Sequence, residues 1–146
     1  MPLRLSSSAR ATLVGLAAAA GVAAAGAPAL AQAAKPKTFP FGSQWTLLTF
    51  AGKPVTENKP TIIVDESLRA RGFAGCNTYS ASAYPLPQQR FAVGPLAVTK
   101  KACDKALMDR ERAFLVILRT AATWDVKDGQ LVITGQNGEL RFDRTL

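Results

Sequence analysis

Two cysteines, ten carboxylates and no histidine bound the chemistry open to this 146-residue chain. Without an imidazole there is no Ser-His-Asp or Cys-His machinery, no His-ligated zinc and no histidine general base. A redox or nucleophilic role for Cys76 or Cys103 needs a resolving thiol or a base close by, and the sequence holds no C-x-x-C. Glycoside hydrolysis needs two facing carboxyl groups, one with its pKa raised by burial. The carboxylates here fall in turns, at a helix start or among arginines, where they are expected to stay ionised and solvated. Asp65 and Glu66 are adjacent, and neighbouring strand residues point to opposite faces. Asp125, Asp128 and Asp143 lack the spacing of a calcium loop. No catalytic residue, cofactor site or metal site is expected.

Other polar and aromatic residues read as structural. Asn77, directly after Cys76, could offer an amide to a ligand, but the simpler expectation is a bond to neighbouring backbone that fixes a turn. Thr99 is expected to fasten the loop before a helix. Trp45 and Trp124 are expected in the core or at its rim.

The first 33 residues are of a different kind. They hold thirteen alanines and two charges, Arg4 and Arg10, before an uncharged run from Ala11 to Ala34. Its most apolar part, Leu13 to Ala25, has the length of a signal-peptide core, and Pro28 precedes small-x-small sites ending at Ala31 and Ala33. As a helix the run would reach about 36 Å, enough for an anchor, but it is mostly Ala and Gly. A leader over 1–33 with cleavage after Ala33 is expected, Ala31 being the alternative site. No cysteine stands there to carry a lipid, and Arg4 and Arg10 are not a twin-arginine pair. The mature protein is therefore expected to be periplasmic or secreted, soluble, without a membrane span, and not a lipoprotein. In an oxidising compartment Cys76 and Cys103 have only each other to pair with, and the bond would contribute about 3–4 kcal/mol.

The 113 residues left after the leader suffice for one core. Lys35 to Pro40 reads as a linker broken by prolines, so the segments are 1–33 leader, 34–40 linker and 41–146 domain. Short strands are expected at Gln44–Phe50, Pro60–Val64, Leu68–Gly75, Tyr79–Tyr84 and Arg90–Val93, with Pro85 ending the fourth. Arg69, Arg71 and Phe73 share one face of the third. Helical periodicity runs from Lys105 to Ala122, with Leu107, Glu111, Phe114, Leu115, Leu118 and Ala122 at three- and four-residue steps and Asp104 at the N-cap. Asp109, Arg110, Glu111 and Arg112 form a mixed charged run, expected as a solvated surface, while Val116 and Ile117 suggest that the C-terminal half packs deeply. Asp128-Gly129 and Asn137-Gly138 each read as a type I′ hairpin turn between strands Thr123–Val126, Leu131–Thr134 and Glu139–Phe142. The expected fold is α+β and mainly β: a curved antiparallel sheet or partial barrel of short strands packed on one helix.

Taken together, these motifs resemble the META domain family, the HslJ-like heat-shock proteins of the bacterial envelope. The resemblance runs from about Phe41 to the C-terminus. It rests on Trp45-Thr46-Leu47, on Gly75-Cys76-Asn77-Thr78-Tyr79, and on Val93-Gly94-Pro95-Leu96 followed by Thr99-Lys100-Lys101-Ala102-Cys103. Glu111, Phe114 and Leu118 fit the family's helix. Family members often carry Met where Lys101 stands, Gly at Ala81 and an aromatic at Ala83, which leaves the register from Ala81 to Tyr84 open. The resemblance implies a highly curved antiparallel sheet on one helix and the approach of Cys76 to Cys103. It implies a stress-linked envelope protein and brings no established reaction.

Charge supplies the remaining clue. After the leader, sixteen Lys and Arg face ten Asp and Glu, a net of +6. Arg69 and Arg71 lie on one strand, and Lys100, Lys101 and Lys105 cluster near Cys103; a Cys76–Cys103 bond would draw the two groups into one basic patch. The alternative is charge spread around the surface for solubility. Such a scaffold has two readings: a monomeric, non-catalytic module would hold an envelope protein or anionic envelope polymer, and not nucleic acid, whereas an inhibitor of a secreted hydrolase would present Pro85-Leu86-Pro87-Gln88 or Lys100-Lys101.

Two functions therefore stand side by side. The first is a monomeric, non-catalytic envelope module that binds a protein or polymer. The second is a hydrolase inhibitor built on a stapled β scaffold.

Overall fold

The computed structural model of the protein describes residues 35–145. The expected leader over 1–33, with its cleavage sites at Ala31 and Ala33, lies outside the described residues.

Ten strands and one helix follow one another as β1 (Trp45–Phe50), β2 (Lys53–Pro54), β3 (Thr61–Val64), β4 (Arg69–Phe73), β5 (Thr78–Leu86), β6 (Arg90–Val93), β7 (Ala97–Val98), α1 (Lys105–Arg119), β8 (Ala121–Lys127), β9 (Gln130–Gly135) and β10 (Gly138–Arg144). Each strand pairs antiparallel with its neighbours in the order β10-β9-β8-β6-β5-β4-β3-β1, and β1 pairs in turn with β10. The sheet thus closes into an eight-stranded barrel, where an open curved sheet or partial barrel was expected. Closure removes both sheet edges, and it rests on the Trp45↔Arg144 to Phe50↔Leu140 ladder, bulged between Leu47 and Thr49. Strand alternation sends Leu47, Ile62, Val64, Ala70, Ala81, Ala83, Leu131, Ile133, Leu140 and Phe142 into the interior.

The helix covers one end of this barrel. Phe114 packs edge-on against Tyr79 and Phe142, with ring centroids 5.8 and 6.5 Å apart. Arg110 donates to the Glu57 carbonyl before β3, and Arg119 donates to the Val93 carbonyl at the end of β6. Asp104 caps the helix by accepting from the Leu107 N–H at 3.0 Å, as expected. The helix stops at Arg119 and not at Ala122, because Ala121 already pairs with Gly135 in the sheet. A side chain on Gly135 would collide with the Thr120 carbonyl at 2.6 Å, so the missing Cβ is what lets the chain turn from helix to strand there.

Segment 35–40 does more than link. Phe39 is only 5% exposed; it stacks on Phe91 at 5.7 Å and meets Trp124 edge-on at 5.0 Å, at the end of the barrel away from α1. Lys37 pairs with Asp125 beside it.

Three other local expectations are corrected or resolved. β5 continues through Pro85 to Leu86. The Ala83 N–H points to Leu68 on the β4 side, and Pro85, two residues on, faces the same side after β4 has ended, so the missing N–H costs no ladder bond. Between Ala81 and Tyr84 the register is regular: Ala81 and Ala83 face inward and Tyr84 outward. Asp128-Gly129 forms its turn with positive φ at both residues. The last hairpin instead pairs Gly135 with Gly138, so Gln136 and Asn137 make its loop. Gly138 sits where a Cβ would lie 3.1 Å from Ile117 Cδ1 on the helix.

Candidate functional site

The residues singled out by the two cysteine motifs converge where the β4–β5 connection meets the helix. Gly75 has φ +122, a region L side chains rarely adopt, and it lets the chain double back so that Ala74 N–H reaches the Asn77 carbonyl at 2.7 Å. This turn aims two backbone N–H groups at the helix. Glu111 receives both on Oε2, from Cys76 at 2.9 Å and from Asn77 at 2.6 Å, while Oε1 accepts from Asn77 Nδ2 at 2.8 Å.

Asn77 carries the network onward. Its Oδ1 accepts from the Thr99 hydroxyl at 2.8 Å and from the Lys101 N–H at 2.7 Å. The Thr99 Oγ1 in turn accepts from the Thr78 N–H at 3.2 Å. Cys76 and Cys103 close the same region with a disulfide, their Cα atoms 6.2 Å apart. One carboxylate, one amide and one hydroxyl therefore fasten three separate pieces of chain to one another.

Glu111 is the residue that sequence reasoning misplaced. It was expected in a solvated charged run, yet it is 4% exposed. The signal was its place on the stripe Leu107, Glu111, Phe114, Leu118, a carboxylate on the helix's inward face. Burial pushes its pKa up, but the hydrogen bonds from the Asn77 side chain, the Asn77 backbone and the Cys76 backbone outweigh that and hold the group below the ordinary glutamate value. It is an ionised anchor with its oxygens occupied, which is the opposite of a protonated general acid.

The Asn77 side chain bonds chain 24 and 34 residues away and not the neighbouring backbone that was expected, while Thr99 ties the loop before α1 to Asn77 and Thr78. Tyr79 points inward and donates to the Thr61 carbonyl at 2.9 Å; burial raises its phenol pKa far above the ordinary value. Trp45 and Trp124 are both core residues. Ala102 is exposed on the loop to α1, and no contact explains it.

The basic residues are only partly gathered. Arg71 sits on the outer face of β4, opposite Ser80 of β5, which is opposite Ala97 of β7, so Ala97 lies about 10 Å across the same wall and Lys100 and Lys101 follow beyond it. Arg71 is paired with Asp65 at 2.9 Å, and Lys105 with Asp109 at 2.6 Å. Arg69, Lys100 and Lys101 are exposed and make no salt bridge among the described residues. Between the two groups the wall is hollowed into an open trough of about 660 Å³, with Ile63, Phe73 and Val98 as its apolar surface and Arg71, Ser80 and Thr99 among its polar groups. Among the described residues, no acidic one lines it.

The META domain model matches residues 37–145. The chain belongs to the META domain family. The match begins at Lys37, which agrees with the burial of Phe39. Two solved NMR structures share the fold of this META domain. One is 25% identical, with a TM-score of 0.59, covering 69% of this chain and 87% of the other. The second, from Burkholderia xenovorans, is 25% identical, with a TM-score of 0.56, covering 72% of this chain and 83% of the other. No curated protein matches. Among the described residues, no helix of this META domain is long and apolar enough to cross a membrane, and no group of three or more potential metal ligands occurs.

Proposed function

We propose that this META domain is an exported, stress-linked binding module of the bacterial envelope and not an enzyme. The observation that carries the reading is the saturation of its motif residues: Glu111, Asn77 and Thr99 spend their polar groups on one another and on backbone. A catalytic acid or nucleophile needs a free face toward substrate; Glu111 and Asn77 are buried, and the Thr99 hydroxyl, although it lines the trough, is engaged by Asn77 and the Thr78 N–H. The same lock supports the exported location, since its disulfide belongs to an oxidising compartment.

What the lock positions is surface. It pins Lys101 and Thr99 beside β5 and so shapes the trough, whose apolar surface, with the exposed Arg69, Lys100 and Lys101 on neighbouring segments, suits an anionic partner with apolar groups, such as an acidic protein segment or an envelope polymer. The test is affinity capture from envelope extract by the oxidised mature domain, eluted across a salt gradient. An F73S/R71E variant serves as the control surface. One component retained by the native domain and lost by the variant supports the reading. Retention that the variant leaves unchanged removes the trough, and diffuse retention abolished by modest salt leaves only nonspecific charge.

A hydrolase inhibitor is the second reading, favoured by the β5–β6 tip. Gln88 and Gln89 both hold positive φ there, a strained arrangement for residues with side chains, and Leu86 beside them is exposed. Inhibition assays against secreted proteases and lysozyme decide it: no inhibition at high molar excess eliminates this reading.

A further inference from the structure

The C-terminal half of α1, apolar enough to suggest deep packing, keeps one apolar face uncovered. Val116 is 43% exposed. Met108, Arg112, Leu115 and Arg119 recur at three- and four-residue steps along that face, and Leu96, from the loop after β6, forms the opposite wall. The groove between them measures about 420 Å³. It lies on the helix, apart from the trough on the β3–β4–β5–β7 wall.

Charge identifies what fits. Arg112 and Arg119 stand seven residues apart, about 10.5 Å along the axis, with Leu115 and Val116 between them. Arg112 has one long contact to Asp109 at 3.5 Å, and Arg119 uses one nitrogen on the Val93 carbonyl, so both keep free donors. Glu111, the one carboxylate among the described residues that line the groove, is already filled by Cys76 and Asn77. A second copy docked through a two-fold axis would set arginine against arginine, and the chain's basic balance adds to that repulsion.

We propose that this groove docks an acidic peptide segment of another protein. An apolar side chain would sit against Leu96, Met108, Leu115 and Val116, and carboxylates would meet Arg112 and Arg119. In an extended segment, acidic residues on one face recur two or four positions apart, about 7 or 13 Å, which brackets the spacing of the arginines within reach of their long side chains. The proposal is independent of the trough, because none of these residues lines it.

The test is a random dodecapeptide display selection against the oxidised mature protein, with the enriched peptides then measured on Val116→Glu and Arg112→Glu variants. Both positions are exposed, and an unchanged thermal midpoint shows that each variant is folded. Enriched peptides that combine acidic with apolar residues, and that lose at least tenfold affinity on both variants, are expected. Enrichment of basic or uncharged peptides, affinity indifferent to both variants, or no enrichment overturns the proposal. A concentration-dependent dimer that Val116→Glu dissolves also overturns it, in favour of a second copy as the occupant.

Discussion

Glu111 Oε1 and Asn77 Nδ2 meet at 2.8 Å in the interior, joining the middle of the only described helix to the first residue after Cys76. The pair holds together because each partner is satisfied on its other side: Glu111 by two backbone N–H groups, Asn77 by Thr99 and Lys101. A buried carboxylate that accepts three hydrogen bonds has traded its water for fixed dipoles. Removing any one member strands the others.

Glu111→Gln is expected to cost about 2–4 kcal/mol in urea denaturation, because the amide presents an N–H₂ where a donor already points. The loss should depend on pH. The folded carboxyl titrates below its unfolded value, so its contribution is complete above about pH 4.3 and is lost as pH falls through the folded pKa. The gap between native and variant should therefore be constant near neutrality and narrow in acid. A gap that widens on acidification contradicts the ionised anchor.

Cys76→Ser or Cys103→Ser should lower stability by about 3–4 kcal/mol, chiefly through the freer unfolded chain. Intact mass of exported protein should fall two daltons short of the reduced value, as one disulfide requires. Two titratable thiols in native exported material would contradict it.

Gly72→Ala is expected to destabilise by at least about 3 kcal/mol, since the new Cβ would lie 2.0 Å from the Thr61 carbonyl oxygen, which also accepts from Tyr79. Gly94→Ala, with its nearest contact at an ordinary 3.5 Å, is the matched control and should be far milder. Similar midpoints for the two in thermal melts would refute the close approach.

Phe39→Ala should cost about 3–5 kcal/mol by emptying the space between Phe91 and Trp124. A domain begun at Phe41 should be weakened at least as much. If both variants melt like the native protein, the segment before Phe41 is dispensable.

By itself the sequence determined the local elements: the capped helix from Asp104, the Asp128-Gly129 turn, the alternating strands, the single possible cysteine pair and the membership carried by Gly75-Cys76-Asn77. These are legible because capping, turn conformation and side-chain alternation depend on residues a few positions apart. The tertiary structure alone decided whether the sheet closed, since closure depends on β1 meeting β10 across nearly the whole domain. It decided that Phe39 is core, because the burial comes from Phe91 and Trp124, more than fifty residues downstream. It also decided the fate of Glu111. The neighbours Asp109, Arg110 and Arg112 read as solvent, and only the Gly75 turn, folded onto the helix from 34 and 35 residues away, supplies the N–H groups that let a charge be buried.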